Sequence, residues 1–119
     1  MNEPRIAVVD DDAAVAHSIV ALLNSDGFEA LAYRSAEAFF ASCTHETYCC
    51  LLADWRLSGI GIIELCQRVS VEAGHLPIIF MTDPPSGLAP TRLNPDIEIE
   101  FVGKPFDPER ILAEIRRRC

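Results

Sequence analysis

The chain has 119 residues, of which 50% are hydrophobic and 24% are charged, and this balance predicts one folded domain rather than a disordered segment. Its formal net charge of −8 and its pI of about 4.7 argue against direct binding of nucleic-acid phosphates by this domain. No apolar run approaches the roughly 18–20 residues of a membrane helix, and no secretory leader follows Met1. We therefore expect a cytoplasmic protein that does not contact a membrane.

The first half of the chain alternates short apolar runs with stretches of helical period. Residues 5–9 are too short for a helix and rich in β-branched residues, so they predict a strand. Residues 13–25 carry apolar residues at helical spacing, and Gly27 follows where a glycine commonly ends a helix. The inward face of this predicted helix consists of Val15, Ile19, Leu22 and Leu23.

Two further strands and a short helix follow. Residues 28–33 predict a second strand, and Ser35 is suited to cap a helix that carries Phe39 and Phe40. Residues 48–54 form an apolar run that ends in an aspartate, which is typical of a central parallel strand with both faces buried.

The second half continues the alternation but has one weak point. Residues 78–82 predict a fourth, buried strand, and residues 97–102 predict a fifth at an edge of the sheet. Between them, residues 83–96 hold four of the chain's eight prolines. Because proline inside a helix costs ~3 kcal/mol, we expect at most a short turn of helix around 88–94. Residues 62–73 predict an amphipathic helix with the inward residues Ile63, Leu65, Cys66 and Val69.

A last helix begins at Asp107 and Pro108, which supply an N-cap and a first-turn proline. The alternating order of elements predicts an α/β fold, a doubly wound (βα)5 sandwich around a five-stranded parallel sheet, with a fourth helix that is short or disrupted. We interpret residues 1–119 as a single domain. The inward residues of the last helix are Ile111, Leu112 and Ile115.

Polar residues end or follow four of the predicted strands. Asp10 and Asp11 end the first strand, Asp54 the third and Thr82 the fourth, and Lys104, the only lysine, follows the fifth. Right-handed crossovers place these strand ends on one edge of the sheet, so the side chains should converge. A Mg²⁺ or Mn²⁺ ion would offset the repulsion between the carboxylates. The hydroxyl and the ammonium group are suited to hold the oxygens of a phosphoryl group.

The third aspartate of the first motif has a different expected role. Asp12 lies one residue beyond the strand end, where the first helix begins. We expect its carboxylate to cap that helix and to complement the helix dipole rather than to bind the metal.

Five motifs occur in order along the chain: VVDDD at 8–12, SAEAFF at 35–40, LLADWRLSG at 51–59, IIFMT at 78–82 and GKPF at 103–106. With these motifs the sequence resembles the receiver domains of two-component response regulators, which have the CheY-like fold, and in particular the transcription-factor branch typified by FixJ. The resemblance extends over roughly residues 5–117 and implies the sheet order 2-1-3-4-5.

The resemblance implies a role for each aspartate and for one backbone group. Asp54 would accept a phosphoryl group from a phosphohistidine on a sensor histidine kinase. Asp10 and Asp11 would form the acidic pair that holds Mg²⁺ together with Asp54, and Asp11 would be a direct ligand. The backbone carbonyl of Arg56 would complete the protein ligands.

The resemblance also implies which residues bind the phosphoryl group and which residue changes conformation in response. Thr82 and Lys104 would bind its oxygens, and Phe101 would be the switch aromatic that turns inward when Thr82 moves, although it could equally be simple core packing. The Lys104–Pro105 peptide bond would be cis. The domain would catalyse only its own phosphorylation and dephosphorylation, and would control transcription through a domain absent from this sequence. Phosphorylation would favour a homodimer.

Several positions depart from the family pattern. Ser58 and Ile62 stand where the family usually has proline and glycine, and Asp83 stands where it usually has a small residue. Together with the prolines of 83–96, these departures lead us to expect an altered dimerisation face. Asp83 and the proline-rich segment 83–96 motivate an alternative, a pseudo-receiver that serves as an interaction module and signals without phosphorylation.

A second alternative is a phosphatase of the haloacid-dehalogenase type. The pattern Asp10-x-Asp12 after a first strand, with a later hydroxyl and lysine, resembles the motif order of those enzymes. They also need a later acidic pair for the metal, however, and no such pair follows Lys104 at a predicted strand end. Turnover of a phosphate ester that depended on Asp10 and not on Asp54 would favour this reading.

The cysteines give neither a CxxC pair nor zinc-binding spacing, and their number is odd. We interpret them as reduced thiols packed in a cytosolic protein, with a redox role as the alternative. The five residues are Cys43, Cys49, Cys50, Cys66 and Cys119.

Overall fold

Five parallel strands form one sheet in the order 2-1-3-4-5, as the sequence predicted. The computed structural model describes residues 5–42, 48–54, 62–72, 76–82, 97–103 and 107–119. The strands are β1 (Arg5–Val9), β2 (Glu29–Tyr33), β3 (Tyr48–Ala53), β4 (Ile78–Phe80) and β5 (Ile99–Phe101). The helices of the described part are α1 (Ala13–Ser25), α2 (Ala36–Ala41), α3 (Ile62–Glu72) and α4 (Pro108–Arg118).

The pairing register aligns the carboxyl ends of four strands. Val9 of β1 lies opposite Ala53 of β3, Ala53 lies opposite Phe80 of β4, and Phe80 lies opposite Phe101 of β5. These four residues form one row across the sheet, at the last paired position of each strand. The residue that follows each of them therefore emerges at the same edge of the sheet.

The sheet separates two hydrophobic clusters, and the central strand β3 contributes to both. Leu51 and Ala53 lie in the cluster that contains residues of α2 and α3. Cys50 and Leu52 lie in the cluster that contains residues of α1 and α4. All four side chains are fully buried, which confirms the prediction of a strand with two apolar faces.

Side-chain caps begin the helices where the sequence predicted them. The Asp12 carboxylate accepts hydrogen bonds from the amides of Ala14 (3.0 Å) and Val15 (3.2 Å). Ser35 caps α2 and Asp107 caps α4 in the same way, each through one backbone amide. These side chains supply acceptors for amides that have no partner inside the helix.

The end of α1 depends on a glycine. Gly27 has a φ of 89°, a conformation that glycine adopts without the clash a side chain would introduce. Its amide and that of Asp26 bond back to carbonyls of the last helical turn, so the chain leaves the helix directly towards β2.

Three expectations about the helices and strands are wrong in detail. Ile63, expected on the inward face of α3, is 60% exposed, whereas Leu65, Cys66 and Val69 are buried as predicted. The fourth strand, expected over 78–82, spans only Ile78–Phe80, and the fifth, expected over 97–102, spans only Ile99–Phe101. Met81 and Val102, just beyond the paired residues, are still buried in the core, so hydrophobicity overestimates the length of the strands.

The interpretation of all the cysteines as reduced thiols is also wrong. Cys49 and Cys119 form a disulfide; their Cα atoms are 5.6 Å apart, and they are separated by 70 positions in sequence. Cys50 and Cys66 are free and buried. The pairing had no sequence signature, because only the fold brings the start of β3 to the end of α4.

Several predicted features lie outside the described residues. They include the short fourth helix within 83–96, the cis bond at Lys104–Pro105 and the carbonyl of Arg56. Among the residues that the structure does describe, no helix has the length and apolar character needed to cross a membrane.

The cap of α1 gives a first testable prediction. Replacing Asp12 by alanine removes the acceptor for two amides, and we expect the free energy of unfolding to fall by about 1 kcal/mol. Asp12→Asn retains a side-chain oxygen and should stay much closer to the original protein. Urea unfolding followed by circular dichroism measures both variants, and equal stability of Asp12→Ala and Asp12→Asn would contradict the capping role.

Candidate functional site

Backbone hydrogen bonds hold the residues that follow the aligned strand ends. The amide of Asp10 donates to the carbonyl of Tyr33 (3.1 Å), and the amide of Asp54 donates to the carbonyl of Val9 (3.1 Å). The amide of Met81 donates in the same way to Ala53 (2.9 Å). The ladder therefore continues one residue past the strands, and it fixes the main chain from which the polar side chains project.

Three carboxylates meet at this edge. Asp10, Asp11 and Asp54 each offer an oxygen, and these oxygens all lie within 4.8 Å of one another. Asp10 is only 2% exposed, Asp54 is half-buried and Asp11 is exposed. The structure thus brings together the three aspartates that the sequence predicted as an acidic site.

Local hydrogen bonds separate the roles of the neighbouring aspartates. One oxygen of the Asp10 carboxylate accepts a hydrogen bond from the amide of Asp12 (2.9 Å), which orients it at the strand end. The carboxylate of Asp12 is instead engaged with the first turn of α1. Asp12 is therefore a helix cap, and the acidic cluster consists of Asp10, Asp11 and Asp54.

The acidic cluster suits a small divalent cation. Close carboxylates repel one another, and a hard cation with oxygen ligands removes that repulsion. Oxygens on opposite sides of a Mg²⁺ ion are about 4.2 Å apart, because each metal–oxygen bond is 2.0–2.1 Å long. The three carboxylate oxygens lie within 4.8 Å of one another, so they converge on one region at the scale of such a site. Mn²⁺ accepts the same kinds of ligand.

Of the four other predicted site residues, the structure describes Thr82 and Phe101, and Arg56 lies outside its described part. Thr82 follows Met81 directly, two residues beyond β4, and is half-buried. Phe101, the last residue of β5, is buried, and its ring centroid lies 5.7 Å from that of Phe80. Lys104 lies outside the described residues.

A cavity beside the acidic cluster was not foreseen from the sequence. It has a volume of about 400 Å³ and runs from Asp10 between α1 and β2. His17 and Arg34 contribute its polar lining, and Tyr33 and Val20 contribute apolar surface. Its residues come from two elements whose facing surfaces are set by packing, and the sequence carried no local signal for it.

The comparisons with known proteins agree with the fold and the acidic edge. Residues 6–116 match the family described as the response regulator receiver domain. The transcriptional regulatory protein FixJ of Bradyrhizobium diazoefficiens is 34% identical over 114 residues, which cover 93% of this chain and 54% of that protein. The chain thus spans about half the length of the curated relatives it matches.

Solved structures give the same result. The response regulator StyR superimposes with a TM-score of 0.86 and 32% identity, over 98% of this chain and 59% of that one. The chemotaxis protein CheY4 of Vibrio cholerae has a TM-score of 0.81 over 99% of this chain and 100% of its own. At 17% identity, the likeness to CheY4 establishes the CheY-like fold alone.

The parallel sheet, the acidic cluster at its carboxyl edge and the similarity to these relatives together define a signalling domain of two-component systems. The chain belongs to the response regulator receiver domain family, and its similarity to FixJ confirms the resemblance inferred from the five motifs. Phosphorylation on an aspartate is the general mechanism of this family.

The acidic cluster gives a second prediction. Mg²⁺ should raise the melting temperature of the chain, because bound cation removes the repulsion among the carboxylates. Asp11→Asn should weaken Mg²⁺ binding at least about tenfold, since even residues outside the ligand shell cost 10–100-fold in metal affinity. Titration followed by the fluorescence of Trp55, the only tryptophan, measures the affinity.

The matched control is the neighbouring residue. Asp12→Asn removes a negative charge one position away but leaves the acidic cluster intact, so its Mg²⁺ affinity should stay within a few-fold of the original. A loss equal to that of Asp11→Asn would mean that only the summed charge of the segment matters, and would refute the assignment of Asp11 as a ligand.

Proposed function

We propose that this domain accepts a phosphoryl group on Asp54 from a sensor histidine kinase in a Mg²⁺-dependent reaction. The observation that carries the proposal is the position of Asp54, at the carboxyl end of the central strand and within the acidic cluster. Its backbone is bonded to β1, while its half-buried side chain remains reachable. A nucleophile needs this combination of fixed position and access.

The transfer is a displacement at phosphorus. A carboxylate oxygen of Asp54 attacks the phosphorus of a phosphohistidine, the P–N bond breaks, and the imidazole leaves with the bonding electron pair. The product is an acyl phosphate on Asp54. A bound Mg²⁺ would neutralise charge on the phosphoryl oxygens as they approach the carboxylates. Asp10 and Asp11 would hold that ion, together with the carbonyl of Arg56.

Two further side chains would bind the phosphoryl oxygens. Thr82 follows the strand beside Asp54 and offers a hydroxyl donor at the same edge. Lys104 follows β5 by three residues and offers a positive charge. In this proposal the domain catalyses only its own phosphorylation and dephosphorylation, and has no separate substrate.

The switch would connect Thr82 to Phe101. Thr82 moves towards the phosphoryl group to donate its hydrogen bond, and this shifts the segment that follows β4. Phe101 lies on the neighbouring strand and packs against Phe80, so it is positioned to respond to that shift. The guanidinium of Arg110 in α4 donates to the carbonyl of Phe101 (3.2 Å), which ties the switch strand to the last helix.

The partners and output of the domain follow from its family. We infer a cytoplasmic histidine kinase domain as the phosphodonor and, from the names of the FixJ relatives, transcription as the output. The output would lie in a part of the protein outside this sequence, because the chain spans about half of those relatives. A phosphorylation-dependent homodimer would use a face altered by residues 83–96.

Phosphorylation provides the third prediction. With Mg²⁺ and a small phosphodonor such as acetyl phosphate, intact-mass measurement should detect one added phosphoryl group on the original chain. Asp54→Asn should add none, because an amide oxygen is a far weaker nucleophile than a carboxylate. Asp12→Asn is the matched control and should be phosphorylated at a rate close to that of the original.

Two results would count against the proposal in different ways. Equal phosphate uptake by Asp54→Asn and the original chain would show that another residue is the acceptor. Binding of Mg²⁺ with no response to acetyl phosphate or to beryllofluoride, a phosphoryl mimic, would instead favour the interaction module that signals without phosphorylation. Trp55 fluorescence and the oligomeric state report that response.

A further inference from the structure

The disulfide lies at the end of the sheet opposite the acidic cluster. Cys49 is the second residue of β3, and Cys119 follows the last residue of α4. Their Cα atoms are 5.6 Å apart, within the range that a disulfide bridges. We propose that Cys49 and Cys119 form a reversible redox site, which in its oxidised state fastens the end of α4 to the central strand.

Contacts other than the disulfide already hold the end of α4 in place. The amide of Cys119 donates to the carbonyl of Ile115 (2.9 Å), so Cys119 continues the last helical turn. The Arg118 side chain is only 4% exposed and pairs with Glu114 (2.7 Å) and Glu98 (3.4 Å). The two sulfurs therefore remain neighbours when the bond is broken, and the bond can form again without a rearrangement of the fold.

The reduced state also has a place for both thiols. The sulfur of Cys49 lies 3.3 Å from the carbonyl oxygen of Arg5, which can accept a hydrogen bond from the thiol. Cys119 is an exposed residue and Cys49 is partly buried, so the pair lies at the surface rather than inside the core. A site of this kind can cycle, whereas a disulfide enclosed in the core resists reduction.

The other described cysteines do not compete for the reaction. Burial raises the pKa of the Cys50 thiol to about 12 and that of the Cys66 thiol to about 11. Both thiols stay protonated near neutral pH, and thiols in that form are poor nucleophiles. The burial and protonation of Cys50 disfavour an exchange between it and the adjacent Cys49–Cys119 bond.

Peroxide is a suitable oxidant, and the reaction with it balances. The Cys119 thiol loses its proton, and the thiolate attacks one oxygen of hydrogen peroxide. The O–O bond breaks, a sulfenic acid forms, and the leaving hydroxide takes up a proton to give one water. Cys49 then attacks the sulfenyl sulfur and displaces a second water, which leaves the disulfide. In reverse, a dithiol supplies two electrons and two protons and becomes a cyclic disulfide itself.

The bond has a consequence for the last helix. It closes a loop of 70 residues and fixes the end of α4 at the edge of the sheet opposite the acidic cluster. Reduction removes this link, and the turn is then held by noncovalent contacts, among them the ion pairs of Arg116 and Arg118 and the apolar face of α4. In a cytosolic protein such a bond is transient, so the end of α4 would report the redox state of its surroundings.

The fourth prediction compares the oxidised and reduced forms of the chain. Treatment with hydrogen peroxide, followed by peptide mapping without reduction, should recover the Cys49 peptide linked to the Cys119 peptide. The oxidised form should melt about 8–16 °C above the form reduced with dithiothreitol. Hydrogen exchange of the amides of residues 115–119 should be slower in the oxidised form.

Variants assign the effect to the pair. Cys49→Ser and Cys119→Ser should each remove the difference between the peroxide and dithiothreitol treatments. Cys66→Ala, the matched control, removes a buried free thiol and should keep the difference even if it lowers both melting temperatures. The oxidised and reduced forms of the original chain can be compared without any variant. The proposal can therefore still be tested if a variant fails to fold.

Three results would overturn the proposal. Peptide mapping could find Cys49 or Cys119 linked to Cys43 or Cys50 instead. The oxidised and reduced forms could have the same melting temperature and the same exchange at the end of α4. The linked peptides could also resist dithiothreitol in the folded chain, which would make the bond a permanent structural one.

Discussion

The alignment of the strand ends is the constraint on which the rest of the structure depends. The row Val9, Ala53, Phe80 and Phe101 places every following residue at one edge of the sheet. The burial of both faces of β3 fixes this alignment, because a slip of one residue would exchange Leu51 and Leu52 between the two clusters. Core packing therefore sets the geometry of the acidic cluster, although no core residue belongs to it.

The same constraint explains how three carboxylates remain together. The backbone amides of Asp10 and Asp54 are bonded into the sheet, so moving these two residues apart would break ladder hydrogen bonds. The energy of the repulsion is thus retained in the folded domain, where it favours binding of a cation. Asp12 does not add to this repulsion in the same way, because its carboxylate accepts hydrogen bonds from the first amides of α1, which stabilise its negative charge.

The last helix connects the two ends of the sheet. Near its start, Arg110 donates to the carbonyl of Phe101, the residue proposed as the switch aromatic. At its end, Arg118 pairs with Glu114 and Glu98, and Cys119 is bonded to Cys49. Between the two ends of the helix, its buried residues Ile111, Leu112 and Ile115 pack into one hydrophobic cluster. The proposed phosphoryl switch and the proposed redox site therefore act on one rigid element.

Features of the chain that depend on local chemistry were predictable from the sequence. Asp12, Ser35 and Asp107 cap the helices, and Gly27 ends α1, because each of these roles needs only a few neighbouring residues. The acidic edge was predictable for a second reason. In a parallel sheet all strands have their carboxyl ends at the same edge. The position of a residue at the end of its strand is therefore enough to predict that it lies near the other strand-end residues.

Features that depend on how separate elements pack could not be predicted. The apolar Ile63 lies in the first turn of α3, and only the angle of that helix on the sheet decides that it faces outward. The bond between Cys49 and Cys119 joins residues 70 positions apart and has no local pattern. The cavity between α1 and β2 arises from the shape of two packed surfaces.

The choice of Asp54 as the phosphoacceptor rests on the different surroundings of the three carboxylates. Asp10 is almost fully buried, and one of its carboxylate oxygens already accepts a hydrogen bond from the amide of Asp12. Its carboxylate can therefore help to bind a cation, but a large substrate cannot readily reach it. Asp11 is exposed in the turn before α1 and is held less firmly. Asp54 combines a backbone fixed to β1 with a half-buried side chain on the central strand. Attack in line on phosphorus requires both a fixed nucleophile and room for the donor, and among the three aspartates this combination favours Asp54.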